Sequence, residues 1–393
     1  MQKHSLAAEL EDGPLREELF GRQAVVEVEP AAVPAHTYKM QFTGDGSEYF
    51  RIWVVNLLLT LVTLGIYSAW AKVRKTRYFW QNTLLDGAVF DYQGPPLAIL
   101  RGRIIAVILL FAYTWGVDIS ITAGFVVIGV LLLVGPWLFM KAQEFKFRNT
   151  TYRGLRFGFT STTGIAYQRL LPLVAIWFTP TLLALTFRNI EGMTAVFIAL
   201  LTLLFFPFMH HALKSYQHSF ACYGDQQFWF VSARTDFYSV YVRGLAFLIP
   251  ASIFAGILLA AIVAGADEDV STMRITISGA AAGLVIYTVV WPYLAARLQQ
   301  VVWDHTLAPG MRFSTNILAL PLFRLVIKNV ALTLLTCGLY WPYAAIALAR
   351  YRIECFAVLT DRPLSDIARN VAATPVSAAG EGAADLFGLD VGI

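Results

Sequence analysis

Charge is what this chain has least of. Asp, Glu, Lys and Arg make up 14% of its 393 residues, against about 25% in an ordinary soluble domain. Hydrophobic residues make up 57%, and mean hydropathy is +0.60. The shortage is concentrated in the apolar runs 104–116, 126–135, 196–208 and 245–264. Runs of that length need an apolar solvent, and the bilayer supplies one. No secretory leader is visible in the first residues. Residues 1–37 carry Glu9, Glu11, Asp12, Glu17 and Glu18 instead of a basic start and an apolar run, so the first apolar segment, after Arg51, is expected to direct insertion and remain.

Cofactor and catalytic patterns are equally scarce. Cys222, Cys337 and Cys355 are the only cysteines, and their spacings of 115 and 18 residues match no zinc or haem motif. Reduced thiols are expected, with no cofactor. There is no GxxxxGK[ST] loop to couple ATP. The central apolar stretches hold no Asp, Glu, Lys or Arg well inside them, which argues against proton-driven transport. His210, His211 and His218 lie near Cys222. They lack an HExxH pattern or a carboxylate partner, and a zinc site needs three or four converging ligands, so interfacial histidines are the expected reading. Asp304-His305 has no nucleophile close in sequence. No enzyme is expected.

What the chain does contain is self-similarity, which has to be read before anything else. Strand-like junctions recur at 83–92, 151–159, 221–230 and 306–314, each followed by arginine and a long apolar stretch. Entry arginines fall at Arg51, Arg103, Arg169, Arg243 and Arg324. Aromatic helices begin near Ala69-Trp70, Pro136, Pro207, Pro292 and Pro342. The arginine-to-helix distance is 33, 38 and 49 residues in the three central units, and 18 in the first and last. One crossing takes about 20 residues. The central units therefore read as hairpins turning near Asp118, at 188–191 and at 265–274. The end units allow either one full span or a re-entrant hairpin broken at Gly65 or Gly338, and the repeat pattern favours the second. The expected fold is an all-α polytopic membrane protein: a five-fold internal repeat of membrane helical hairpins with short cytosolic β-hairpins. TYKMQF and ECFAVLT should then lie near one another, since unpaired strand edges cost least when they meet. Residues 1–37 and 362–393, rich in Ala, Glu, Gly and Pro, read as disordered tails around a domain at 38–361.

Basic residues set the orientation. On one side of the crossings stand 19 Lys and Arg, from Lys72 to Lys328; the opposite turns hold only Arg188 and Arg274. The positive-inside rule assigns the junctions to the cytosol. Residues 1–37 balance to −4 and residues 371–393 to −3, which leaves +11 on the remaining core. That charge sits beside apolar segments, so it points to topology and not to nucleic acid. The Trp70, Lys72, Arg74, Lys75, Arg77 run has the composition of a headgroup-level segment meeting anionic lipid.

The run at 61–87, LVTLGIYSAWAKVRKTRYFWQNTLLDG, resembles the signature of the YjgN-like family of bacterial inner-membrane proteins. FKFRNTTYRGLRFGF at 145–159 and TLLTCGLYWPYAAIALARYRIE at 333–354 carry the same resemblance. It covers most of 38–361 and implies a polytopic inner-membrane protein, with no assigned reaction and no catalytic residues to transfer.

The first and last apolar segments align without a gap, 50–67 on 323–340. Asn56, Thr60 and Thr63 match Asn329, Thr333 and Thr336, and each trio shares a helix face. Polar groups in hydrocarbon face a partner or a wet cavity. These stripes are either packing contacts worth on the order of 1 kcal/mol per bond or the lining of a passive pathway for a small solute or lipid. The Gly279 to Gly283 stretch presents a small-residue face suited to close helix packing. The competing role is a non-catalytic scaffold or regulator reading anionic lipid or a partner protein, whose identity the sequence leaves open.

Overall fold

The computed structural model describes residues 36–186, 192–224, 226–263 and 268–364. Most of the two tails and the turns expected at 188–191 and 265–274 lie outside the described residues or carry side chains that are not described.

The strands are short: β1 His36–Phe42, β2 Thr83–Leu85, β3 Ala88–Tyr92, β4 Thr150–Tyr152, β5 Leu155–Phe159, β6 Ala221–Tyr223, β7 Gln226–Gln227, β8 Trp229–Phe230, β9 Thr306–Ala308, β10 Met311–Thr315 and β11 Phe356–Thr360. Local chemistry forms the hairpins. Asp86-Gly87 and Arg153-Gly154 all have positive φ, the conformation of the two-residue turns that match strand twist. Arg153 holds a φ of 48° that glycine would adopt more easily. Its guanidinium compensates by clamping the neighbouring hairpin, donating to the Asp86 carbonyl at 2.9 Å and pairing with the Asp86 carboxylate.

These hairpins are not separate ornaments, and the all-α class is therefore wrong. All eleven strands join one antiparallel sheet in the order β7-β6-β5-β4-β3-β2-β1-β11-β10-β9-β8. The two ends of that order, β7 and β8, are separated only by Phe228, whose N–H donates to the Ala221 carbonyl at 2.9 Å. The sheet is thus nearly closed on itself. Closure of such short strands comes from stagger. In β3, Val89 and Ala88 pair with Leu84 and Leu85 of β2, while Phe90, Asp91 and Tyr92 pair with Tyr152, Thr151 and Thr150 of β4. In β1, residues 36–39 pair with β11 and 40–42 with β2. TYKMQF and ECFAVLT thus lie side by side, as expected.

Inward positions alternate along each strand and fill the barrel. Leu85, Phe90, Tyr152, Tyr223, Phe228, Met311, Phe356 and Val358 form one buried cluster. Phe90 stacks on Tyr152 with ring centroids 4.6 Å apart, and Phe157 meets Tyr223 at 4.8 Å. The Tyr152 hydroxyl donates to the Leu85 carbonyl at 2.7 Å, and Tyr223 donates to the Tyr152 carbonyl at 3.0 Å. Aromatic rings with partnered hydroxyls make this a packed core.

Helices connect the strands: α1 Gly46–Val62, α2 Ser68–Gln81, α3 Pro96–Ile119, α4 Ile121–Arg148, α5 Thr163–Thr186, α6 Gly192–Leu204, α7 Phe206–Ser219, α8 Arg234–Val263, α9 Glu268–Asp304, α10 Ala319–Leu335 and α11 Trp341–Glu354. Asp45 caps α1, its carboxylate accepting from the N–H groups of Ser47 and Glu48 at 2.8 and 3.1 Å. Among the described residues, four stretches are long and apolar enough to cross a membrane: Pro96–Gly116, Ile121–Arg148, Arg234–Ala261 and Ile275–Asp304. The five-fold repeat of membrane helical hairpins expected from the sequence is not found among the described residues. α1 and α10 have 17 residues each and α6 has 13, so the connections differ in kind. Pro136 and Pro292 lie inside α4 and α9, whereas Pro207 and Pro342 open α7 and α11.

Each helix packs on its neighbours in the chain, and α11 returns to α1. At that seam Gly46 passes so close to Tyr343 that a Cβ would stand 2.5 Å from the ring, and Arg350 donates to the Gly44 carbonyl at 2.7 Å.

Candidate functional site

The two matched polar stripes lie on α1 and α10 and at the turns that follow them. Asn56 and Asn329 are buried, at 8% and 7% exposure, and among the described residues neither Oδ1 atom has a hydrogen-bond partner. Asn329 donates through Nδ2 to the Ala344 carbonyl of α11 at 3.4 Å, a long bond. The Thr60 hydroxyl donates to the Asn56 carbonyl at 2.7 Å. Thr63 and Thr336 donate to the Leu59 and Leu332 carbonyls at 2.7 Å. They also accept the Tyr67 and Tyr340 N–H groups at 2.9 and 3.0 Å. Thr333 contributes its carbonyl, which takes the Gly338 N–H at 2.7 Å. The Thr60, Thr63 and Thr336 hydroxyls are thus used within their own hairpins.

A buried acceptor without a partner costs stability, and an apolar side chain of similar shape removes that cost. Replacing Asn56 and Asn329 by Leu is therefore expected to leave thermal stability unchanged or raised, within about 1 kcal/mol. A loss of several kcal/mol in detergent unfolding would show instead that the amides anchor the hairpins.

The aromatic and basic run forms α2. Its Ala69 and Val73 are buried against Tyr92, Ile99 and Phe145, which turns the other face outward. Trp70 is half-buried and stacks on Tyr67 with centroids 6.1 Å apart. Lys72 is half-buried, while Arg74, Lys75 and Arg77 are exposed. Arg77 is partly tied down, its Nε donating to the Tyr92 carbonyl at 3.1 Å. Arg51, Arg101, Arg156, Arg169, Arg324 and Lys328 are also exposed. Among the described residues none of these six, nor Arg74 or Lys75, stands in an ion pair. In the sequence these six served to mark repeat entries (Arg51, Arg169, Arg324) or to orient the chain (Arg101, Arg156, Arg169, Arg324, Lys328); their freedom from carboxylates needed the structure.

The histidines do not converge. His210 Nδ1 meets the Tyr241 hydroxyl at 2.7 Å, and His211 Nε2 donates to the Ser232 carbonyl at 2.9 Å. His218 Nδ1 meets Thr306 Oγ1 at 3.0 Å. The Thr306 hydroxyl already donates to the Val302 carbonyl at 2.7 Å, so His218 is the donor to Thr306 and carries its proton on Nδ1. Burial, with Lys214 and Lys146 near, pushes the His218 pKa down to about 3, so the ring is neutral. The Asp304-His305 pair is likewise occupied separately: Asp304 accepts the Thr315 N–H at 3.0 Å and His305 Nδ1 donates to Val301 at 2.8 Å. Gly279 and Gly283 have nothing within 4 Å of an added Cβ, so the small-residue face has no close neighbour among the described residues.

A family model described as a bacterial protein of unknown function (DUF898) matches residues 37–386. The inner membrane protein YjgN of Salmonella typhimurium is 31% identical over 182 residues, covering 43% of this chain and 45% of that protein. Inner membrane protein YjgN of Escherichia coli K12 is 34% identical over 133 residues, 32% of each chain. This chain thus spans less than half the length of the curated relatives it matches. No solved structure matches.

Proposed function

This chain belongs to the DUF898 family of bacterial proteins, and from that membership we propose that it is a multi-pass inner-membrane protein whose barrel-bearing face lies in the cytosol and holds anionic lipid headgroups, as a non-catalytic scaffold or regulator. The observation that carries the reading is the set of exposed cations without an ion pair among the described residues, including Arg51, Arg74, Lys75, Arg156 and Arg169, beside strands that all belong to one sheet. Cations without carboxylate partners at the ends of apolar helices suit phosphate headgroups, and their excess on one side suits the cytosolic leaflet. The names of the YjgN relatives agree with the membrane placement. A passive pathway, the other role read from the sequence, has less support. The stripe hydroxyls serve their own helices, and the barrel is filled with aromatic side chains.

Each basic residue near an anionic surface contributes about 1 kcal/mol. Arg74→Gln with Lys75→Gln should therefore weaken anionic-lipid binding by roughly 2 kcal/mol, or ~30-fold, without changing the fold. Titration of the purified protein with phosphatidylglycerol and phosphatidylcholine nanodiscs measures this. Equal affinity of the unsubstituted protein for the two lipids would reject headgroup binding.

A further inference from the structure

The two end hairpins share a turn that water does not require. In the first, the N–H groups of Thr63, Leu64, Gly65, Ile66 and Ser68 donate to the carbonyls of Leu59, Leu61, Thr60, Thr63 and Gly65, and that of Tyr67 donates to the Thr63 hydroxyl. In the second, Thr336, Cys337, Gly338, Leu339 and Trp341 donate to Leu332, Leu334, Thr333, Thr336 and Gly338, and Tyr340 donates to the Thr336 hydroxyl. Every amide hydrogen through both turns has an acceptor at 3.2 Å or less. In water a turn can leave such groups to solvent. In hydrocarbon each unpaired one costs several kcal/mol.

The side chains point the same way. Leu64 is 94% exposed, Val62 81% and Leu335 80%. Leu64 and Cys337 have φ of 49°, a conformation natural to Gly or Asn and costly by about 1–2 kcal/mol for other residues. A fully exposed leucine held there is out of place in water and at home among acyl chains. From the end of each turn into the following helix runs a stacked aromatic pair, Tyr67 with Trp70 and Tyr340 with Tyr343, of the type that settles at headgroup depth.

Strand pairing excludes a crossing, and length is marginal for one. A helix of 17 residues is about 25 Å long, short of the ~30 Å hydrocarbon layer. The returning arm α2 meets Lys72 in its second turn. The strands that flank each hairpin are held in one sheet: β1 pairs directly with β2, and β10 with β11. A chain that leaves and re-enters the same sheet must come back to the same face.

We propose that the turns at 63–68 and 336–341 are re-entrant lipid anchors, inserted into the acyl layer of the barrel-side leaflet and locked there by Thr63 and Thr336. The ligand is the hydrocarbon of that leaflet. The proposal rests on the membrane placement given above but not on headgroup binding, and the two are separable.

Cys337 is a built-in reporter, because it is exposed at the second tip. In a Cys222→Ala/Cys355→Ala background it should resist a membrane-impermeant maleimide in both right-side-out and inverted vesicles, and react once detergent is added. A fluorophore placed on Cys337 before reconstitution should be quenched more by shallow doxyl lipids than by lipids labelled at the bilayer centre, in neutral and anionic vesicles alike. Asp118→Cys in a cysteine-free background should label only from the side opposite the barrel; its failure would remove the membrane placement itself. With that control in order, Cys337 labelling from either aqueous side, or oxidative cross-linking of Cys337 between two copies, would overturn the anchor.

Discussion

Phe90→Ala is expected to destabilise the protein by about 3–5 kcal/mol, the range for removing a buried aromatic ring. Phe90 is 5% exposed and touches rings from three directions: Trp80 at 5.3 Å, Tyr152 at 4.6 Å and Phe157 at 6.4 Å. A nearly closed sheet cannot contract easily around a missing ring, so the cavity should persist and the cost should fall at the upper end. The lost ring contacts add about 0.5–1.5 kcal/mol each beyond area burial. Leu64→Ala provides the contrast. Its side chain is 94% exposed, so detergent unfolding should barely register its loss. Measured by thermal unfolding, a change below ~1 kcal/mol for Phe90→Ala would mean that the barrel interior is not packed. A bore through the sheet, and with it the pathway role, would then regain its footing.

Acidification is expected to produce the second large effect. His218 is neutral in the fold because burial depresses its pKa to about 3, from an ordinary 6.5, with Lys214 and Lys146 adding to the depression. The unfolded chain takes up this proton below pH 6.5 and the folded chain does not. Stability from this group is therefore complete above pH 6.5 and is lost as pH falls toward 3. The slope is about 1.4 kcal/mol per pH unit, or roughly 3 kcal/mol between pH 6.5 and 4. His218→Gln, whose amide can still donate to Thr306, should flatten that part of the profile. An unfolding midpoint with the same pH dependence in both proteins would show that His218 is not the titrating group.

Several features could be read from residues alone because their causes are local. Asp86-Gly87 specifies a tight turn wherever it occurs, and both residues take positive φ here. Gly65 and Gly338 were legible as breaks, and both take positive φ in the tight turns. The apolar runs of α3, α4, α8 and α9 follow from composition. The pairing of β1 with β11 was legible from strand-edge chemistry. The role of Thr63 and Thr336 was not. A hydroxyl at helical spacing reads the same whether it faces a pathway or its own turn, and the bonds from the N–H of Tyr67 and Tyr340 are visible only in the structure.

Hydropathy and charge skew, summed over many residues, determined that this chain carries long apolar helices with its basic residues gathered at their ends. The closing of the sheet was decided by the tertiary structure alone. Strands of two to seven residues are too short to announce partners 60 residues away, such as Asp91 and Thr151. Their pairing energy comes from a ring of aromatic side chains that exists only once every hairpin is in place.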